Sequence, residues 1–169
     1  QGMTVLTLVA SAVIWRKRRP EQQSAIARAG LLVMAMGLGI LSASAFSSQV
    51  HLVRLALIVF GSGFGVYTFG GLNLMAVMTS DREAGAYLGL WTIAVLVSRG
   101  IGTSIGGIAR DVLLALTHSA TFSYGTIFSL EAIGLLCAIL LLAGLDVLSF
   151  ARDTGRLETV EWQMAAGEV

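Results

Sequence analysis

Cysteine and proline occur once each in 169 residues, histidine twice, and charged residues make up only 12% of the chain. An ordinary soluble domain carries about 25% charged residues. So low a share argues against an exposed solvated surface, a disordered segment or a nucleic-acid binder. Cys137 has no second cysteine to bond, which excludes an intrachain disulfide framework and leaves the redox compartment open. No His/Cys cluster has the spacing of a zinc site. No nucleophile stands beside a base, so the chain offers no candidate for enzymatic chemistry. The formal net charge of +1 excludes nothing by itself. What the chain does have is 56% hydrophobic residues and 20 glycines. In lipid, small residues let helix backbones approach closely.

The apolar residues fall into runs. The first, Gly2 to Trp15, is shorter than the roughly 20 residues that cross a bilayer. Its basic residues, Arg16, Lys17, Arg18 and Arg19, follow the run, whereas a secretory signal would place them before it. It reads as the end of a helix whose first half precedes it, and the chain as part of a larger bundle. A short interfacial helix is the alternative. Four longer runs cover residues 24–46, 53–78, 85–116 and 124–150. Each is long enough to cross a hydrocarbon core of about 30 Å at 1.5 Å per residue. The expected fold is all-α: a polytopic transmembrane helical bundle over residues 1–150, with about four and a half spans, followed by a polar tail over residues 151–169. One side of the membrane would receive Arg16 to Arg19, Arg28, Arg82, Arg152 and Arg156, eight of the eleven cations. Positive residues collect in cytoplasmic loops, so that side and the tail are expected in the cytoplasm.

Ionisable residues inside a span are costly and mark candidate sites. Arg99 lies midway along the third full span. Thr92, Arg99, Thr103, Gly106 and Arg110 share a helical stripe, which must face protein or a water-filled cavity. Glu131, in the fourth span, is the expected counter-ion of Arg99 or Arg110. Such a pair can equally fix helix register without touching a substrate. Arg110 and Asp111 are near enough to the outer surface to extend their polar ends to it. Asn73 sits in the inner half of the second span, on a face with Ser62, Val66 and Phe69. The pairs Gly61 and Gly65, Gly85 and Gly89, and Gly102 and Gly106 each form a small-xxx-small packing motif. No Gly-x-Gly has the third glycine and preceding strand of a dinucleotide site. His51 and His118 fall in the outer turns. An imidazole there can ligate a metal, including the magnesium of a chlorophyll, or serve only as a surface residue.

The most distinctive stretch is Asp81-Arg-Glu-Ala-Gly-Ala-Tyr-Leu-Gly-Leu-Trp91, followed by Ser98-Arg-Gly-Ile-Gly102 and Gly106-Gly-Ile-Ala-Arg-Asp111. With these segments the chain resembles the bacteriochlorophyll-delivery (PucC-like) family, light-harvesting assembly proteins of the major facilitator superfamily. The likeness runs through most of Gly2 to Arg152. It implies a twelve-span bundle with both termini cytoplasmic, of which this chain would supply the end of span eight and spans nine to twelve. Asp81 and Arg82 would then lie in a cytoplasmic loop, and Asn73 would face the central cavity. The Arg99 stripe would meet the opposite half of the bundle, and Glu131 would act as a brace. The earlier spans and the main transporter loop motif of the family are absent from this sequence. Alternating access needs two halves rocking about a shared site, so the chain is expected to work with the remaining half of its fold or with another membrane chain.

The function implied is a membrane assembly factor for light-harvesting or photosystem complexes that handles or shields chlorophyll or bacteriochlorophyll, with carotenoid as a further pigment. The implied partners are the lipid bilayer and photosynthetic antenna or reaction-centre polypeptides. The implied location is an intracytoplasmic, thylakoid or bacterial inner membrane. A small-molecule transporter of the same superfamily and a permanently bound structural subunit are the alternatives.

Overall fold

The computed structural model describes residues 2–15, 20–78 and 84–144. The basic cluster at 16–19, the loop with Asp81 and Arg82, and the chain beyond Gly144 lie outside the described residues. The described residues form five helices: α1 (Gly2–Trp15), α2 (Pro20–Ser47), α3 (Val50–Met78), α4 (Ala84–Thr117) and α5 (Ala120–Ala143). Among the described residues there is no strand. Four of the helices contain stretches long and apolar enough to cross a membrane: Gln23–Ser47, Val50–Met75, Leu88–Thr117 and Ala120–Ala143. The chain is a membrane-spanning helical bundle, with α1 too short at 14 residues to cross by itself.

Helix ends follow local chemistry. Pro20 opens α2, where its missing N–H costs nothing and its fixed φ suits a first helical residue. The turn after α2 closes with Ser48 in the left-handed region (φ 55°). There the Gln49 N–H donates to the Ser44 carbonyl at 3.1 Å, and the Ser44 hydroxyl donates to the Gln49 carbonyl at 2.8 Å. After α4, His118 takes φ 52° and its N–H donates to the Leu114 carbonyl at 2.9 Å. Ser119 caps α5, its hydroxyl accepting from the Phe122 N–H at 3.4 Å. That cap starts the helix about one turn before the expected Tyr124. The expected end at residue 150 lies outside the described residues. Val50 likewise starts α3 before the expected Val53, which puts His51 and Arg54 on its first turn.

Packing centres on α2. Its heptad-spaced Gly30, Gly37 and Ser44 are buried, and so are Ala56, Gly63 and Gly70 on α3. The two series interlock. A Cβ added to Gly63 would stand 2.6 Å from the Met34 nitrogen, one at Gly37 2.7 Å from the Phe60 nitrogen, and one at Gly70 2.7 Å from the Ala27 nitrogen. At Gly30 it would collide with the Tyr67 backbone. Backbone meets backbone along this seam, so no side chain can yield and each position admits only hydrogen. On another face of α3, Gly65 lies against Thr7 and the Thr4 carbonyl of α1.

The other side of α2 meets α5. The Ser42 hydroxyl donates to the Gly125 carbonyl at 2.9 Å and lies 2.7 Å from the Ser129 hydroxyl. Phe46 packs edge-to-face on Phe122, with ring centroids 6.0 Å apart. The end of α2 therefore sits beside the start of α5, which makes the two antiparallel and brings the α2–α3 and α4–α5 turns to one end of the bundle. The remaining helix, α4, packs against α5. No residue in the span of α4 is buried within the chain.

Candidate functional site

Between α3 and α4 runs a groove with a cavity of about 440 Å³. On α4 its wall is built from Trp91, Ala94, Val95 and Ser98, residues three or four apart and so on one stripe of the helix. On α3 the wall is Phe64, Tyr67, Thr68, Gly71 and Leu72, which also share one stripe. Gly71 faces the indole across the groove: a Cβ there would lie 3.9 Å from Trp91 Cη2, an ordinary contact. The Thr68 hydroxyl donates to the Phe64 carbonyl at 2.7 Å, so this wall spends its polarity within its own helix. Arg99 lies on the rim, where Ser98, Leu72 and Trp91 are exposed along with it. Three aromatic side chains, two aliphatic hydroxyls and one guanidinium thus border a space within the 300–1,000 Å³ typical of small-molecule sites.

The other stripe residues of α4 are satisfied locally. The Thr92 hydroxyl donates to the Leu88 carbonyl at 2.8 Å, and the Thr103 hydroxyl to the Arg99 carbonyl at 2.6 Å. Arg110 pairs with its neighbour Asp111, Nη2 to Oδ1, at 2.6 Å. Glu131 is exposed on α5. Among the described residues it forms no ion pair with Arg99 or Arg110, and Arg99 forms none at all. Asn73 is half-buried and turns its amide back along α3, Nδ2 donating to the Phe69 carbonyl at 2.8 Å; it does not line the groove.

Of the glycine pairs, Gly61 and Gly65 are buried in α3. Gly85, Gly89, Gly102 and Gly106, all on α4, have no described atom beyond their own helix backbone and chain neighbours within 4 Å of where a Cβ would stand. His51 and His118 are exposed at the end of the bundle that carries the two turns. A second cavity of about 400 Å³ opens at that end, lined by Leu41, Ser48, Val53, Thr121, Tyr124 and Phe128 among others, and neither histidine borders it. Among the described residues no three of His, Cys, Asp and Glu gather into a metal site. Sequence reasoning found Arg99 but missed its aromatic neighbours. The available signal was the run Phe64, Tyr67/Thr68, Gly71 at helical spacing, opposite Trp91, Val95 and Ser98.

A protein-family model described as PUCC protein matches residues 1–150. Protein PucC of Rhodobacter capsulatus is 32% identical over 139 residues, covering 77% of this chain and 29% of the relative. The bacteriochlorophyll synthase 44.5 kDa chain, also of Rhodobacter capsulatus, is 30% identical over 118 residues, covering 65% of this chain and 26% of the relative. The chain thus spans well under a third of the length of these curated relatives. No solved structure matches it.

Proposed function

Because this chain belongs to the PUCC protein family, we propose that it acts in the assembly of photosynthetic light-harvesting or photosystem complexes by handling or shielding (bacterio)chlorophyll within the membrane. The observation that carries this reading is the α3–α4 groove. It is an aromatic-walled cavity of about 440 Å³ on membrane-spanning helices, open along a rim with exposed residues. A flat, apolar pigment can enter such a groove sideways from lipid and stack on Trp91, Phe64 and Tyr67. The name of the bacteriochlorophyll synthase relative points to the same pigment class. Because neither histidine borders the groove, pigment there would be held by ring contacts and not by an imidazole ligand to its metal. On this reading the chain is no enzyme. It belongs to a major-facilitator bundle with its tail in the cytoplasm, an orientation supported by the one-sided distribution of its arginines and its single lysine.

The test is gentle solubilisation of the full chain from its own membranes, followed by an absorption spectrum and identification of co-purifying polypeptides. Bound pigment together with antenna or reaction-centre polypeptides is the expected result. Deletion of the gene with antenna complexes left intact overturns the reading.

The bareness of α4 favours a second reading, a permanently bound subunit at the edge of a larger complex. An apolar helix with glycines facing open space has surface to give to a neighbouring membrane chain. Retention at fixed stoichiometry through repeated detergent washing favours this reading. Loss on the first wash favours the transient factor.

A further inference from the structure

Arg99 poses an electrostatic problem that no ion pair among the described residues solves. It lies about 16 Å along α4 from Leu88 and about 27 Å from Thr117 at 1.5 Å per residue, away from both ends of the span Leu88–Thr117. A guanidinium at such depth is costly unless it meets water or an anion. Among the described residues, the acids of α4 and α5 are engaged or elsewhere: Asp111 takes Arg110 at 2.6 Å, and Glu131 pairs with no described cation. Beside Arg99 stands the aromatic groove, whose lining also includes Ser98 and Tyr67. A planar guanidinium fork matches a carboxylate with two parallel hydrogen bonds, a geometry a lone ammonium does not offer.

We propose that the α3–α4 groove binds a membrane-dissolved amphiphile with a flat apolar body and a carboxylate, the body lying against Trp91, Phe64 and Tyr67 and the carboxylate held by Arg99. The ligand's charge complements the one free cation among the groove's lining residues, and its body fits a cavity of about 440 Å³. The depth of Arg99 argues for this ligand over a phospholipid phosphate, which stays at the headgroup level beyond the ends of the span. The inference rests on the pigment-handling reading and narrows it: among pigments, the groove takes those carrying a free acid group in preference to their neutral esters.

The test uses the full chain in phosphatidylcholine nanodiscs, titrated with two probe pairs and followed by fluorescence. One pair is pyrenebutyric acid and its methyl ester; the other is pheophorbide a and its methyl ester. Each acid is expected to bind at least tenfold tighter than its ester. Arg99→Leu should bring the acid down to the ester's affinity while leaving the ester unchanged, which shows at once that the groove is still folded. Arg99→Lys should keep part of the preference. Equal affinity for acid and ester in the unaltered chain, or a preference that survives Arg99→Leu, overturns the proposal. Equal and tight binding of both pheophorbides does so while leaving the pigment reading in place. An acid preference in the pyrene pair with no binding of either pheophorbide keeps the anion site and removes the pigment reading. A preference erased by phosphatidylglycerol in the disc assigns Arg99 to a lipid headgroup and overturns the proposal.

Discussion

Gly125 on α5 lies beneath the ring of Phe46 on α2, so close that a Cβ at Gly125 would stand 2.8 Å from the ring's Cζ. The obstacle is the far end of a side chain that is itself 53% exposed. Gly63 meets the Met34 backbone nitrogen at 2.6 Å instead, and a backbone cannot turn aside. Gly125→Ala should therefore cost less than about 1 kcal/mol, with Phe46 swinging outward, while Gly63→Ala costs about 1–3 kcal/mol, as overpacking does. Unfolding of the solubilised protein by a denaturing detergent measures both. Equal losses would contradict the distinction between a ring that yields and a backbone that does not.

The α2–α5 contact carries a second prediction. Ser42→Ala removes both its bond to the Gly125 carbonyl and its contact with Ser129. Ser129→Ala leaves Ser42 still donating to that carbonyl. Interhelical hydrogen bonds in lipid average about 0.6 kcal/mol and reach about 1.7. Ser42→Ala should fall in that range and exceed Ser129→Ala, with the double variant costing less than their sum. The same unfolding titration checks the order, and strict additivity would mean that the two hydroxyls do not share a network.

How much of this was legible in the chain differs by level. The membrane spans were, because a run such as Leu31 to Phe46 is apolar whatever surrounds it. Helix starts slipped by about a turn at Val50 and Ala120, because hydropathy does not register that Ser119 caps a helix or that His51 and Arg54 can ride its first turn. The glycine seam was only partly visible. Small-xxx-small spacing singled out Gly61 and Gly65 and passed over Gly30, Gly37, Gly63 and Gly70, whose period is seven. The groove was the least legible part. Arg99 stands out as a charge in an apolar run, but that Tyr67 and Trp91 share its cavity depends on how α3 and α4 face each other, which spacing within either helix does not register.

The groove can be filled without disturbing the fold. At Gly71 the nearest atom to an added Cβ is Trp91 Cη2 at 3.9 Å, an ordinary contact. Gly71→Ala should leave pigment retention unchanged. Gly71→Phe should occupy the cavity, abolish retention of pigment by the purified protein, and leave its abundance in the membrane within about twofold, since no core contact is lost. Undiminished pigment in Gly71→Phe would place the binding surface elsewhere.

His118 offers a way to separate backbone from imidazole. Its φ of 52° is one that a side chain with a Cβ adopts at a cost and glycine adopts freely. His118→Gly should hold or raise stability, whereas His118→Val should lower it by about 1–2 kcal/mol, because a β-branched residue resists this region. Since His118→Gly removes the ring while keeping the turn, a changed pigment spectrum in that variant alone would reveal ligation. An unchanged spectrum leaves His118 as a residue of the turn.

The near absence of cover on α4 bears on how the molecule comes together. Insertion of a helix into lipid and its docking onto neighbours are separable steps. For α2 and α3 the second step is supported by the backbone seam they share within one chain. For α4 the second step rests on its contact with α5 and on whatever else occupies the bilayer around it. Its position should therefore obey mass action in the plane of the membrane, tightening as neighbours crowd in and loosening on dilution into detergent. Since α4 carries one wall of the groove, the width of the cavity becomes a readout of what the surrounding membrane contains.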